Sequence, residues 1–152
     1  MSTEVYEKTV AAGKVERELA DLSIDPSELY FGTQFEAESD ETESSTTEIT
    51  FQQKLRLTTP SLEIDDKYVV FWYFEIKANL QNKNAAAQVQ VDDTTVIVES
   101  EREGNEWFPV SGFYIANIAI VGTHTIDIDY RAIDGTAYIR RARLIGWRVE
   151  VP

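Results

Sequence analysis

The sequence contains no cysteine, one histidine and one methionine among its 152 residues. The missing cysteines exclude a disulfide framework, cysteine-bound zinc, iron–sulfur clusters and thiol catalysis. The single histidine, His124, has no second imidazole with which to build a metal site and no recognisable nucleophile with which to build a triad. We therefore expect a structural or surface role for His124, and we expect the protein to use no cofactor.

Basic residues and long apolar runs are also scarce. The 14 Lys and Arg oppose 27 Asp and Glu, which gives a formal net charge of −13. Such a charge argues against nucleic acid and against anionic membrane surfaces as partners, since both attract clustered cations. No apolar run approaches the roughly 18–20 residues needed to span a bilayer, and the N-terminus is too polar to be a signal peptide. The composition thus predicts no nucleic-acid and no membrane partner.

What the chain does contain is enough apolar and aromatic residues, 43% and 11% respectively, for one domain with a real core. The charge is spread unevenly over it. Residues 1–48 hold 13 acidic and 3 basic side chains, whereas residues 49–152 hold 14 and 11, so the net charges are −10 and −3. Within the first part, residues 36–48 contain five Glu, one Asp and no base. This stretch is typical of a solvated loop or a mobile edge.

Residues 4–22 have the apolar spacing of a helix. The positions that line one face are Val5, Ala12, Val15, Leu19 and Leu22. Asp25, Pro26 and Glu28 then favour a break followed by a short new turn. A lone helix with a single apolar stripe is marginal in water, so we expect it to pack on something. We predict an N-terminal helical or extended arm over residues 1–26 and a second domain over residues 27–152.

From residue 29 onward the apolar period changes from helical to two. The strongest strand is predicted over 67–80, where Tyr68, Val70, Trp72, Phe74 and Ile76 share one face. The opposite face carries Val69, Phe71 and Tyr73 before it becomes polar. Apolar residues on both faces indicate a central strand that is covered by a helix, an arm or a neighbouring subunit.

The remaining strands are predicted from the same alternation and from turn residues. We expect them over 29–31, 48–57, 87–91, 94–99, 113–120, 125–131 and 138–151, with a charged turn over 101–106. Asp92-Asp93 and residues 132–135 are predicted as hairpin turns. Ile126, Ile128 and Tyr130 should point inward, and Asp127, Asp129 and Arg131 outward. Seven or eight short strands with regular turns predict an all-β antiparallel sandwich, most specifically a jelly roll.

The carboxylates do not mark a reaction centre. No two of the 27 acidic residues stand out as a glycosidase pair, whose geometry depends on a fixed separation. We therefore expect a protein that is not an enzyme, with glycoside hydrolysis as a weaker alternative. Asp65-Asp66 and Asp92-Asp93 occupy turns, where calcium binding is one option and ordinary turn chemistry is the better one.

Two clusters are candidates for contacts with a partner. The only basic cluster consists of Arg140, Arg141, Arg143 and Arg148. If residues 132–135 form a hairpin, Arg140 lies near Asp127 and the neighbouring arginines lie near Asp129, which makes a cross-strand ion network. Strict alternation fails through residues 140–143, so we predict a bulge there. The alternative is an arginine patch that meets an acidic partner.

Aromatic residues form the second cluster, around Trp107. Trp107 and Phe108, together with Phe113 and Tyr114, are typical of a platform that stacks on sugars, although most aromatic side chains in a small sandwich belong to the core or to an interface.

The second half of the chain resembles a known group of proteins. The pattern comprises WFPVSGF at 107–113, GTHTI at 122–126, YR at 130–131 and GTAYIRRARL at 135–144. It resembles jelly-roll structural proteins of tailed phages and prophages, including head decoration (cement) proteins and tail-associated proteins. The resemblance covers roughly residues 86–150 and leaves the N-terminal third unmatched. It implies a virion component, often trimeric, that binds the outside of a shell or tail.

Residue patterns and resemblance together predict a non-enzymatic assembly module. The leading hypothesis is a capsid decoration protein, made in the host cytoplasm, that binds the major capsid protein or another virion protein on the capsid exterior as a trimer. The partner-binding residues would be Val5, Val10, Val15, Leu19 and Leu22 of the arm, Val69, Phe71 and Tyr73 of the central strand, and Arg140, Arg141 and Arg143. The alternative is a receptor- or carbohydrate-binding module of a tail fibre or baseplate that uses Trp107, Phe108 and Tyr114.

Overall fold

The computed structural model describes residues 35–149, which contain nine strands and no helix. The strands are β1 (Phe35–Asp40), β2 (Ser44–Thr46), β3 (Gln52–Thr58), β4 (Lys67–Ala78), β5 (Asn84–Val91), β6 (Thr95–Glu103), β7 (Phe108–Asn117), β8 (Thr125–Ala132) and β9 (Ala137–Val149). The predicted helix over residues 4–22, the arm over 1–26 and the first strand at 29–31 lie outside the described residues. Within the described part, no helix has the length and apolar content to cross a bilayer.

The strands form two antiparallel sheets that pack face to face. Sheet A has the order β1-β9-β4-β7, with β2 paired to the end of β9, and sheet B has the order β3-β8-β5-β6. Eight strands that alternate between two sheets in this order are the two Greek keys of a jelly roll. The predicted all-β jelly-roll sandwich is therefore confirmed, with β2 as an additional short strand.

The inner face of β4 forms the centre of the core. Tyr68, Val70, Trp72, Phe74 and Ile76 are all buried, as predicted, and they pack with the inward residues of β5, β8 and β9. Two glycines make room for the largest of these rings. A Cβ on Gly112 of β7 would overlap the indole of Trp72, and a Cβ on Gly146 of β9 would overlap the phenol of Tyr68. The core therefore requires glycine at both strand positions.

The acidic stretch 36–48, predicted to be a solvated loop or a mobile edge, lies at an edge of sheet A. It supplies β1 and β2, which both pair with β9, for example Ala37 with Ile145 and Ser45 with Tyr138. Ala37, Glu38 and Ser39 keep exposed side chains. Backbone hydrogen bonds to the long strand β9 therefore stabilise an edge strand whose side chains bury little apolar surface.

The hairpin turn predicted over residues 132–135 was wrong, and residues 133–136 instead connect β8 to β9. Gly135 does have the expected positive φ of 76°, but β8 belongs to sheet B and β9 to sheet A. The chain therefore crosses from one sheet to the other at this point. A tight turn and a crossing between sheets need the same residues, so local sequence cannot distinguish them.

The predicted alternation of β8 is confirmed, because Ile126, Ile128 and Tyr130 lie in the core. The outward carboxylates are nevertheless buried, which the sequence did not indicate. Asp127 is fully buried and Asp129 is 4% exposed. Arg56 of β3 donates two hydrogen bonds to Asp127, at 2.6 and 2.7 Å. Gln88 and Gln90 of β5 both donate to Asp129. Because β8 is central in its sheet, long polar side chains from both neighbouring strands cover these carboxylates, and burial raises the pKa of Asp129.

The region around β6 and β7 shows one confirmed turn and two shifted boundaries. Asp92 and Asp93 join β5 to β6 with φ of 53° and 57°, the combination found in a type I′ turn. However, β6 continues to Glu103 into the predicted charged turn, and β7 begins at Phe108 rather than 113. Pro109 suggested a break before the strand, but β7 is an edge strand, where proline is tolerated.

Candidate partner-binding surface

The outer face of sheet A carries an exposed cluster of apolar side chains. We call it the apolar patch, and its members are Val69, Phe71, Phe113, Ile115 and Ile145. They are direct neighbours across three strands, because Phe71 of β4 pairs with Phe113 of β7 and with Ile145 of β9, and Val69 pairs with Ile115. The Phe71 and Phe113 rings lie 6.2 Å apart between centroids.

The exposure of the patch is unusual for residues of this type. Phe113 is 64% exposed, Ile115 50%, Phe71 44% and Ile145 37%, while Val69 is half-buried. Scattered apolar residues are normal on a surface, whereas a contiguous group on one sheet face is typical of an interaction site. From the sequence, Val69 and Phe71 were proposed as contact residues and Phe113 was assigned to the aromatic cluster around Trp107, whereas Ile115 and Ile145 were missed. The sequence of β7 contains apolar residues at alternate positions and no charge. This pattern indicates a shared surface only once β7 and β9 are known to flank β4.

The face becomes charged toward the other end of β4. The Glu75 side chain is only 9% exposed and accepts hydrogen bonds from Arg140, from Arg141 at 3.0 Å and from Tyr73 at 2.9 Å. Burial alone would raise the pKa of Glu75, but the hydrogen bonds from Arg140 and Tyr73 outweigh it and hold the pKa below 4.5. This carboxylate and its arginines therefore form a firm ionic border beside the apolar patch.

The predicted bulge at residues 140–143 is confirmed. Tyr73 pairs with Arg143 and Glu75 with Arg140, so β9 has one residue more than β4 across this step. Arg141 has a φ of 52°, as expected for the extra residue of a bulge. The bulge lets Arg140 and Arg141 reach the same carboxylate.

The partners predicted for the arginines were wrong. Arg140 and Arg141 bind Glu75 rather than Asp127, because β9 and β8 lie in different sheets. Arg143 donates to both carboxylate oxygens of Glu41, at 2.6 and 2.9 Å, and Arg148 pairs with Asp66 at 2.8 Å. The predicted ion network therefore exists on a sheet face, but it joins β9 to β4 and to the segment that follows β1.

Trp107, Phe108 and Tyr114 do not form one stacking platform. The indole ring of Trp107 is contacted by two cations, with Arg140 at 4.1 Å and Lys77 at 4.6 Å from its centroid. Arg102 lies over the Phe108 ring, at 4.8 Å. Tyr114 lies farther along β7, where it lines a groove between the two sheets. Each of these three aromatic side chains therefore lies in a different environment.

This groove lies between β7 and the β5–β6 turn and has a volume of about 220 Å³. His124 at its wall contacts Asp92 through Nδ1, at 2.6 Å, and the carbonyl oxygen of Ile120 through Nε2, at 2.9 Å. A carbonyl oxygen only accepts, so Nε2 carries a proton, and Nδ1 faces a carboxylate that also accepts. The geometry therefore favours a doubly protonated ring that ties the turn to the β7–β8 loop, which agrees with the structural role predicted for His124.

The acidic turns use their carboxylates within the fold. Asp92 binds His124 and the amide of Thr125, and Asp66 binds the amide of Glu63. Among residues 35–149, no three His, Asp or Glu side chains come together in a way that would hold a metal ion. The turn chemistry expected of these aspartates is therefore what the structure shows.

No protein-family profile matches the sequence, and no curated protein matches it. Among solved structures, dimeric latent PorU from Porphyromonas gingivalis is similar over 77% of this chain and 13% of its own, at 11% identity and a TM-score of 0.49. VP2 of the infectious bursal disease virus subviral particle is similar over 78% of this chain and 33% of its own, at 5% identity and a TM-score of 0.48.

The C-terminal domain of the sugar-binding protein EclA is similar over 68% of this chain and 77% of its own, at 15% identity and a TM-score of 0.43. The chain thus spans a small part of the PorU and VP2 chains. Its fold is established by its own strand pairing, and no function passes to it from these proteins.

Replacing Glu75 tests the ionic border. We expect Glu75→Gln to lower the free energy of unfolding by about 1–3 kcal/mol, because it removes hydrogen bonds to charged groups at a buried site. Glu41→Gln is the matched control and should cost much less, since both side chains of the Glu41–Arg143 pair are half exposed. Urea unfolding at pH 7 measures both, and an equal loss in the two variants would contradict the assignment.

The same variants give a pH dependence. The pKa of Glu75 in the folded protein is below 4.5. The stabilisation that its ionised carboxylate gives to the fold is therefore present above pH 4.5 and is lost as the pH falls through the folded pKa. The difference in stability between wild type and Glu75→Gln should therefore shrink in acid.

His124 offers a direct spectroscopic test, because it is the only histidine in the chain. Burial opposes its charge, but the hydrogen bonds to Asp92 and Ile120 raise its pKa above 6.5. The stability that it contributes is therefore complete below pH 6.5 and is lost as the pH rises through the folded pKa.

We expect an NMR titration of the single imidazole ring to show the raised pKa, and we expect Asp92→Asn to lower the pKa of His124. Asp65→Asn, at another turn aspartate with positive φ, should leave it unchanged. A wild-type ring that titrates below 6.5 would contradict the contact.

Proposed function

We propose that this protein is a structural component of a virus particle, most specifically a capsid decoration protein that binds the major-capsid lattice from outside. The observation that carries the proposal is the apolar patch, a contiguous exposed group on the face of a well-packed sheet. The resemblance of residues 86–150 to structural proteins of tailed phages supports a virus particle as the assembly to which the protein binds. A decoration protein stabilises a shell by mass action, because it adds buried area across the joints between capsomers.

The composition of the sheet face supports protein docking rather than catalysis. The apolar patch extends from β9 across β4 to the edge strand β7, and charged pairs at Glu75 and at Arg143 border it toward one end of β4. An apolar centre with a polar rim is the usual anatomy of a protein–protein interface. The charged groups of the border bind one another, so their carboxylates and guanidinium groups are not set up around a reacting atom.

The predicted arm contacts remain part of the proposal. Residues 1–24 would dock on the shell or on a neighbouring copy through Val5, Val10, Val15, Leu19 and Leu22. The homo-oligomer, for which the resemblance implies a trimer, and the capsid exterior as the location also stay predictions. An enzymatic activity is not part of the proposal.

Binding to particles assembled without this protein tests the role of the sheet face. Phe71→Asp places a charge at the centre of the apolar patch and should reduce co-sedimentation with the particles by at least about tenfold, since an unpaired charge is costly to bury. Val96→Asp is the matched control, because Val96 is 49% exposed on β6 of the other sheet. Equal binding by both variants would remove the sheet face from the proposal.

Two further measurements separate the remaining parts. Deleting residues 1–24 should abolish particle binding while the sandwich stays folded, and unchanged binding would remove the arm from the proposal.

A glycan array tests the carbohydrate-binding alternative. If it shows binding that Trp107→Ala abolishes, this alternative replaces the decoration proposal.

A further inference from the structure

Within residues 35–149, each sheet has two edges. In sheet A they are formed by β1, continued by the short β2 along the same side of β9, and by β7; in sheet B they are formed by β3 and β6. An edge strand presents unpaired backbone amides and carbonyls to its surroundings, and natural proteins protect such edges with charged side chains, prolines or bulges. The protection of each edge in this protein can be read from its residues.

Three of these edges are charged and one is not. β1 carries three acidic residues, β3 carries Lys54 and Arg56, and β6 carries three glutamates and Arg102. β7, with the sequence FPVSGFYIAN, has no charged side chain over ten residues. Pro109 protects only its beginning, and no bulge interrupts its pairing with β4. No strand of the described part pairs with this edge of β7, so residues 35–149 leave it open to another strand from Val110 to Asn117.

The exposed side chains of β7 are also apolar. Phe113 and Ile115 are at least half exposed on the outer face of sheet A, and Tyr114 is 39% exposed on the opposite side of the strand. An uncharged edge that exposes large apolar residues is a template for strand addition.

We infer that β7 pairs with β7 of a second copy of this chain, antiparallel and across a two-fold axis. The residues of the edge strands identify the occupant. A second copy of β1 would bring carboxylates close to carboxylates, and a second copy of β3 would bring cations close to cations. A second copy of β7 brings only uncharged side chains together. This pairing does not rest on the proposed function, since it requires only the strand and a second copy of it.

The side chains of β7 select the register. With Tyr114 on the two-fold axis, Phe113 lies opposite Ile115 of the second copy, and Ser111 lies opposite Asn117. Apolar residues then face apolar residues and polar residues face polar ones, which favours this cross-strand alignment. Pro109 falls outside the paired segment, where its missing amide costs nothing.

The pairing would join the two sheets A into one continuous sheet of eight strands along the main path. It would also bring the two apolar patches side by side across the axis, through Phe113 and Ile115. A two-fold contact is closed, so it produces dimers rather than filaments. It therefore differs from the trimer that the resemblance implies.

The mass of the full-length chain in solution gives the first test. We expect sedimentation equilibrium to show a species of twice 17.3 kDa that dissociates on dilution. A chain that is monomeric at every concentration, or a trimer, would overturn the inference.

Single cysteines test the register, because the chain has none of its own. Tyr114→Cys places two thiols opposite each other on the axis, where directly opposed Cβ atoms are about 4.5–5.5 Å apart, close enough for a disulfide after a small shift. This variant should therefore cross-link to a covalent dimer on mild oxidation. Ser111→Cys is the control on the same strand, since its two copies would lie about 20 Å apart at ~3.4 Å per residue. Val96→Cys is the control on the charged edge of sheet B.

Folding of each variant is checked by its thermal unfolding before oxidation. Cross-linking of Tyr114→Cys alone supports the pairing. Equal cross-linking of all three variants, or cross-linking of Val96→Cys alone, would overturn it.

Ile115→Lys tests the same pairing without oxidation. It should leave the chain monomeric at concentrations where Val96→Lys remains dimeric, and persistence of the dimer would contradict the pairing.

Discussion

The structure depends on the position of β4 in the middle of sheet A, where it pairs with β9 along its whole length and with β7 from Lys67 to Ile76. Its inner face supplies the largest core side chains, and its outer face presents Phe71 at the centre of the apolar patch. Because backbone pairing on both sides fixes the strand, the outer side chains cannot turn inward to bury themselves. One face of β4 thus stabilises the core, while its other face contributes Val69 and Phe71 to the apolar patch.

Features that depend on neighbouring residues could be predicted from the sequence. The two faces of β4 followed from its period of two, the β5–β6 turn from Asp92-Asp93, and the bulge from the failure of alternation at residues 140–143. Features that depend on distant pairing could not. The partner of Arg140 is Glu75 rather than Asp127, because the short connection after β8 crosses between sheets, and nothing local distinguishes a crossing from a hairpin. The burial of Asp127 likewise depends on Arg56, 71 positions away.

The outer face of sheet A and the edge at β7 are two parts of one surface. Phe113 and Ile115 belong to both, since they extend the apolar patch from β4 to the free edge of the sheet. Charged pairs lie at Glu75 and Arg143, away from β7, and the protein carries most of its net charge in residues 1–48. Within residues 35–149 this surface is therefore uncharged, and contacts are favoured there because charge repulsion is small.

The central claim is that the outer face of sheet A, rather than sheet B, contacts other proteins in the native assembly. A photoreactive amino acid at position 71, compared with one at the exposed position 101 on β6, tests it most directly. Illumination of the assembled particle should cross-link position 71 to a neighbouring protein and leave position 101 largely unlinked. Cross-linking from position 101 with none from position 71 would contradict the account.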